Sequence, residues 1–420
     1  MSNKNIEFKD SGIPWIGEIP KHWEVKRLKF IIENSISGEV IDKGYWNSGN
    51  EFLYTCQKEP MFSDFDKFPE NKRTRGNCLL LTRNATPYIF IPKDNAIFSN
   101  VVQKIILFKK YDKRYIKYSI QIGANSLLVN GDIIPSYNMQ VWNNIYFCDI
   151  PLNEQEKIAE FLDKKCEIID KRLSNLERKI KSLKEYKKSL ISECVTKGLN
   201  PKNMEFKDSG IHWIGEIPKH WEVTKIKMYY KVILGKMLAN NPSSIDDTLE
   251  NYLSAINIKF EGVNTSEQKQ MFFNKREKEL YLLKQGDVLI SEGGDAGTAC
   301  VYNNEFYPCY IQNAVHKVIT KNSKKAINKF LYYWIFFIKS VGYVNLICNK
   351  ATLMHFTKEK VENNFIFLPP LNEQKEIAEF LDKKCEKIDR LNENYTKQIT
   401  ALKEYKKSLI YECVTGKKEI

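Results

Sequence analysis

The sequence has no CxxC pair among its ten cysteines, so zinc-ribbon, zinc-finger and thioredoxin-like readings have no support. It has no phosphate loop of the GxxxxGKS or GxxxxGKT kind; its nearest Gly-rich stretch, GGDAGTAC, lacks the lysine. No GxGxxG follows a strand-like run. The one Pro-Pro pair, Pro369 and Pro370, continues into LNEQ and not into the N/D-P-P-Y/F motif of amino-methyltransferases. Histidines are few, and His22, His212, His220, His316 and His355 lack metal-ligand spacing. Long apolar runs are missing too. The strongest, residues 330–338, is closed by Lys329 and Lys339 and falls far short of the ~20 residues a bilayer needs. The opening MSNKNIEFKD has no apolar stretch, so a signal peptide is not expected. The cysteines are then expected as reduced thiols in a cytoplasmic protein with no membrane partner. These absences assign no catalysis, no metal and no cofactor to the chain itself. Arginine is also scarce, at nine of 65 basic residues.

What is present is globular: 43% hydrophobic, 28% charged, 12% aromatic, with a net charge of +13 over 420 residues. Self-comparison is the informative step. FKDSGIPWIGEIPKHWEV at residues 8–25 recurs at 206–223 with one change in 18. PLNEQEKIAEFLDKKCEIID at 151–170 recurs at 370–389 with 17 of 20 positions identical. LKEYKKSLISECVT at 183–196 recurs at 402–415 with one change, Ser192 to Tyr411. The chain is thus one unit twice: a lead segment, a variable middle and a long helical segment. The middles, 26–150 and 224–369, share little, while the flanks are almost identical. Tandem duplication with drift explains the repeat but not the confinement of change to the middles. Those middles carry net charges of +5 and +6, so they hold +11 of the +13. A polyanionic partner would act there.

The helical segments carry heptads. In the first, Leu162, Ile169, Leu176, Leu183 and Leu190 form one row. Cys166, Leu173, Ile180, Lys187 and Cys194 form the second. The second segment repeats this with Leu381, Ile388, Tyr395, Leu402 and Leu409, and with Cys385, Asn392, Ile399, Lys406 and Cys413. Gly198 and Pro201 end the first helix, and Asn153 and Asn372 are N-cap candidates. Each helix of about 40 residues would be ~60 Å long. One seam cannot bury itself. The two seams can pack on each other, or each can dimerise with a second chain; Asn392 and Tyr395 opposite Leu173 and Leu176 favour the hetero-pair. Antiparallel packing would set acidic e positions (Asp163, Asp170, Asp382, Asp389) against basic ones. A parallel pair would also match some charges, Lys165 with Asp389 among them.

The motif SGIPWIGEIPKHWEV, the PLNEQ helix start and their recurrence around two unlike middles closely resemble the specificity subunit of type I restriction–modification enzymes. The resemblance covers nearly the whole chain. It implies an α+β protein: two pseudo-repeated α/β target recognition domains separated by two long helices that form an antiparallel coiled coil. The expected parts are a first recognition domain at 1–150, a first spacer helix at 151–200, a second recognition domain at 201–369 and a second spacer helix at 370–420. Each recognition domain would read one half of a split duplex-DNA site. The helices would set the gap and, with the lead segments, dock two methyltransferase subunits, joined by motor-nuclease (restriction) subunits. S-adenosylmethionine, ATP and Mg would belong to those partners. Half-sites one turn apart, ~34 Å, lie within reach of a ~60 Å spacer. An interaction scaffold without DNA, or the specificity subunit of a related methylation or phage-defence assembly, are the other classes considered.

Arg suits guanine and Asn or Gln suits adenine, whereas Lys mostly binds phosphate. Arg73, Arg75 and Arg83 cluster around the strand-like run 78–81, where at least one is expected to read guanine. The second middle has only Arg276. Its clearest segment is QGDVLISEGGDAGTACVY, where a strand leads into Gly293, Gly294 and Gly297, a loop whose bare backbone could approach phosphate. That segment resembles one common in the family; in the first copy Asn77 stands for the Asp and the later glycines are missing. Residues 98–106 and 311–319 read as equivalent strands, which makes Asn100 (beside Ser99), Gln312 and Asn313 candidate adenine contacts. Helical runs follow at 115–128 and 327–346, the second with an aromatic cluster at 330–337 assigned to core. His22 and His220, in a PKHW turn, and most of Trp15, Trp23, Trp213 and Trp221 are assigned structural roles.

Overall fold

Each variable insert begins and ends on the same short ladder. Strand Glu24–Arg27 pairs antiparallel with Tyr146–Asp149, and Glu222–Lys225 pairs with Phe365–Leu368. The insert therefore leaves and re-enters the frame at one place, and whatever lies between can change without moving the frame. The computed structural model describes residues 7–84, 86–125, 136–348 and 355–420. The chain divides into two compact units: Met1–Glu177 with Thr396–Ile420, and Arg178–Tyr395.

Both inserts fold alike despite their unlike sequences. The first has a four-stranded sheet in the order Ile32–Ser37, Val102–Leu107, Cys78–Thr82, Ile89–Phe90. The second has Tyr230–Leu234, Val315–Thr320, Val288–Ser291, Ala299–Val301 in the same order. Each also has a three-stranded sheet. Trp46–Tyr54 lies between Met61–Ser63 and Ile97–Phe98, and Thr248–Leu253 lies between Lys269–Phe273 and Tyr310–Ile311. The strands are rich in Val, Ile, Leu and Phe, and the central ones are buried on both faces, as near-continuous apolar runs require. Register aligns Leu79 with Val288, since they pair with Ile105 and Val318. Cys78, not Asn77, then stands where the second copy has Asp287.

The expected single strands 98–106 and 311–319 are each two strands in different sheets, joined by a tight turn. Val102 N–H donates to Ser99 O, and Val315 N–H to Gln312 O, both at 2.9 Å. A glycine makes room for that turn in each copy. A Cβ on Gly38 would lie 2.2 Å from Ser99 O, and one on Gly235 would lie 2.3 Å from Gln312 O.

A helix packs on each sheet. The first is Lys113–Asn125; residues 126–128 of the expected run lie outside the described residues. The second is Asn328–Ser340, and Gly342 at φ +79 separates it from Tyr343–Ile347. Phe330, Leu331, Tyr333, Trp334, Ile335 and Phe337 are core, as the sequence suggests. All ten cysteines are free thiols, and no described helix is long and apolar enough to cross a membrane.

The long helices are Leu152–Lys197 and Leu371–Val414, about 69 and 66 Å by their residue counts. Asn153 and Asn372 sit inside the first turn, not at the cap, because Pro151 and Pro370 precede the helices. Gly198, at φ +76, ends the first helix. The seams pack on each other within the chain. In the first unit Leu162, Ile169 and Leu173 share a cluster with Leu402, Leu409 and Cys413. In the second, Leu190 and Cys194 share one with Leu381 and Cys385. Lys406 Nζ reaches Asp170 at 2.7 Å and Lys187 Nζ reaches Asp389 at 2.6 Å. Early residues of one helix thus meet late residues of the other in both units, so the packing is antiparallel. The charged contact is an a-position lysine on an e-position aspartate. Asp163 and Asp382, expected to face the opposite helix, bind the helices of the inserts: Tyr118 Oη donates to Asp163 at 2.8 Å and Tyr333 Oη to Asp382 at 2.7 Å.

Candidate nucleic-acid interface

The two copied motifs are halves of one latch. Trp23 Nε1–H donates to Glu154 at 3.2 Å, and Trp221 Nε1–H to Glu373 at 3.1 Å. His220 Nε2 lies 2.8 Å from Glu373. The tryptophans are buried, while Trp213 is 40% exposed and stacks on Tyr343. The next residue of PLNEQ closes the latch from inside. Gln155 donates to Ile150 O and accepts from Asp112 N–H. Gln374 donates to Pro369 O and Lys325 O and accepts from Ile327 N–H. The start of each long helix is thereby bonded to the start of the insert's helix in its unit.

From this frame the four-stranded sheet projects one strand end outward. In the first unit Arg83 N–H donates to Val101 O, and Asn100 N–H donates to Glu39 O. Arg83 is half-buried with only a 3.5 Å contact from its guanidinium to Asn100 O, and Asn100 is exposed. In the second unit Glu292 N–H donates to Ala314 O, and Asn313 N–H donates to Lys236 O. Gln312 and Asn313 are joined amide to amide at 2.7 Å. Gly293 and the exposed Gly294, at φ +66, follow Glu292 in the chain. Thus Arg83 with Asn100, and Gln312 and Asn313 with Gly293 and Gly294, lie at equivalent ends of equivalent sheets. Arg276 is exposed on the helix Lys275–Tyr281, whose Glu277 pairs with Lys236 at 2.5 Å beside the same end.

The other candidates lie elsewhere. Arg73 is 6% exposed, and its guanidinium is spent on Glu51, Glu70 and Asn95 O. It holds the domain together and has no free donor edge for a base. Arg75 is exposed but lies with Arg73 before the strand Cys78–Thr82, at the end opposite Arg83, and bonds Glu70 and Asn95. Gly297 is buried against Val344, where a Cβ would come within 3.0 Å, so it serves packing.

Sequence reading missed Gly38 and Gly235, Glu39 and Lys236, and two buried lysines. Lys104 Nζ donates to Lys72 O and Arg73 O, and Lys317 Nζ donates to Leu280 O and Leu282 O. Both sit at matching register in the central strand and cap the last carbonyls of a short helix. Burial pushes both amines below their ordinary range. The pair GE and GK after each first strand was a visible signal, but it needs the register to be recognised. At the second end His316 is fully buried, and burial lowers its pKa to about 4. Burial raises the Glu292 carboxyl, with His355 opposing.

Each unit thus offers amide or cationic side chains at one end of a four-stranded sheet that is carried beside an antiparallel pair of helix segments. The model for the type I restriction modification DNA specificity domain matches residues 218–401. A putative type I restriction enzyme MjaX specificity subunit of Methanocaldococcus jannaschii is 30% identical over 64% of this chain and 58% of that protein. The MjaVIII specificity subunit of the same organism is 27% identical over 95% of this chain and 93% of that protein. A solved structure described as the structural basis of complex assembly and conformational transition of the type I R-M system has TM-score 0.67. It is 17% identical and covers 95% of this chain and 99% of its own, which makes the fold the same. Over most of its length the chain is similar to type I restriction–modification specificity subunits.

Proposed function

We propose that the chain is the sequence-reading, non-catalytic subunit of a cytoplasmic type I restriction–modification assembly. Each recognition domain reads one half of a bipartite duplex site. Arg83 and Asn100 read the first half, and Gln312 and Asn313, with Arg276 and the backbone at Gly293 and Gly294, read the second. The helices set the spacing and, with the lead segments, dock two methyltransferase subunits; motor-nuclease subunits complete the complex. S-adenosylmethionine, ATP and Mg act in those partners. The observation that carries the reading is the recurrence of one sheet end, with different Arg and amide side chains on it, in two inserts held by one copied frame. Base-edge contacts by Arg or paired amides discriminate by about 1–3 kcal/mol each. Methylome sequencing with the neighbouring subunits expressed tests it. A split target is expected, and Arg83→Ala should relax one position of one half while leaving the other half intact. A contiguous target, or an Arg83→Ala methylome identical to wild type, would contradict it.

A further inference from the structure

The first unit holds a second concave site, away from the strand ends. The helix Lys113–Asn125 and the two long helices enclose a cavity of about 430 Å³. Lys117, Lys403, Lys406 and Lys407 line it, and Asp170 is its one carboxylate. Both Asp170 oxygens are already held by Lys406 Nζ at 2.7 Å. The side chains of Lys117, Lys403 and Lys407 have no hydrogen bond or ion pair among the described residues. Ile122, Cys166 and Ile410 supply an apolar floor, with Tyr118 at one side. Burial lowers the Lys117 pKa; Asp163 opposes this and Lys406 adds to it. Three ammonium groups around one half-enclosed space are mutually repulsive, and among the described residues none of them has a direct ion-pair partner.

The duplicated frame supplies an internal comparison. The Tyr118–Asp163 and Tyr333–Asp382 bonds are equivalent, so Lys117 corresponds to Tyr332 and Gln121 to Phe336. In the second unit Tyr332 Oη donates to Phe260 O at 2.8 Å, and Phe336 meets Phe260 edge-on with centroids 4.6 Å apart. These rings pack against the core of that unit. The lysine row is unchanged, because Lys184, Lys187 and Lys188 are the repeat mates of Lys403, Lys406 and Lys407. At the aligned helix positions the second unit carries core-packed rings, whereas the first carries Lys117 and Gln121 and leaves a space beside the lysine row.

We propose that this cavity is a phosphate-binding site of the first unit, taking a small multivalent phosphate compound or a backbone phosphate of nucleic acid. Either source offers several anionic oxygens to Lys117, Lys403 and Lys407, and ammonium-to-phosphate bonds are charge-assisted. The site is independent of base reading at the strand ends. Calorimetric titration of the full-length chain with inorganic pyrophosphate, at constant ionic strength, tests it, alongside binding of a 40-bp duplex. Lys117→Tyr with Gln121→Phe copies the filling of the second unit, and Lys407→Glu reverses one wall; Lys188→Glu is the control on the other helix. One saturable pyrophosphate site, weakened at least tenfold by both pocket variants and unchanged in Lys188→Glu, supports a free phosphate ligand. No pyrophosphate binding, but duplex affinity lowered at least tenfold by both pocket variants and not by Lys188→Glu, assigns the site to nucleic-acid phosphate. If pyrophosphate does not bind saturably and duplex affinity is untouched, or if both pocket variants behave as the control does, the proposal is wrong.

Discussion

His316 and Gln103 hold the same register in the two central strands, yet they answer differently to pH. Gln103 donates to Ser35 Oγ at 2.9 Å and carries no charge. His316 is sealed in, with Nε2 2.9 Å from Phe356 O and Glu292 4.0 Å away. Its folded pKa of about 4 lies below the ordinary 6.5, so the unfolded chain takes up its proton first as pH falls. Its contribution to stability is whole above pH 6.5 and is lost as pH drops toward 4. By pH 5 the loss should be roughly 2 kcal/mol. Thermal melts at pH 7.5 and 5 should show this drop for wild type and a smaller one for His316→Gln; equal drops would contradict it. The roles of Arg73 and Arg83 were not separable by eye. Both are arginines near one strand, and only the folding of Glu51, Glu70 and Asn95 around the first consumes its donors. Burial of this sort depends on residues distant in sequence, and local pattern does not carry it.

At the level of elements, the seams, the core helices and the shared topology of the frame were legible, because 3.6-residue periodicity and a near-identical repeat are local signals. Salt-bridge partners were not. The aspartates at Asp163 and Asp382 fit a heptad rule equally well, but the helices of the inserts claim them. The a-position lysines then take Asp389 and Asp170, a polar contact in an apolar seam of the type that fixes register. A double-mutant cycle should detect it. Lys187→Glu and Asp389→Lys should each destabilise, and the pair together should recover about 0.5–1 kcal/mol of the sum. No recovery would mean that the contact is incidental. The PLNEQ glutamine is the stiffer test. Gln374→Ala removes two hydrogen bonds to backbone carbonyls and one from a backbone N–H, and should cost about 2 kcal/mol in denaturant unfolding. Glu376→Ala, two residues on and on the exposed face, should cost almost nothing.

For the whole molecule, the +11 confined to the two inserts makes binding to duplex a strongly salt-dependent event. If the two domains together neutralise six or more phosphates, affinity should fall by about a thousandfold or more between 50 and 200 mM salt. A gel-shift series across that range that stays flat would remove nucleic acid as the partner of these faces. The division of the chain also has a consequence in time. The second unit is one uninterrupted stretch, Arg178–Tyr395, whereas the first needs Thr396–Ile420 to cover Leu162, Ile169 and Leu173. At typical elongation rates of about 5–20 residues per second, those residues wait on the order of 10–50 s on the ribosome for the segment that buries them. The half of the molecule synthesised first is therefore the half completed last, and an interrupted translation would release a finished second domain tethered to an unfinished, aggregation-prone first.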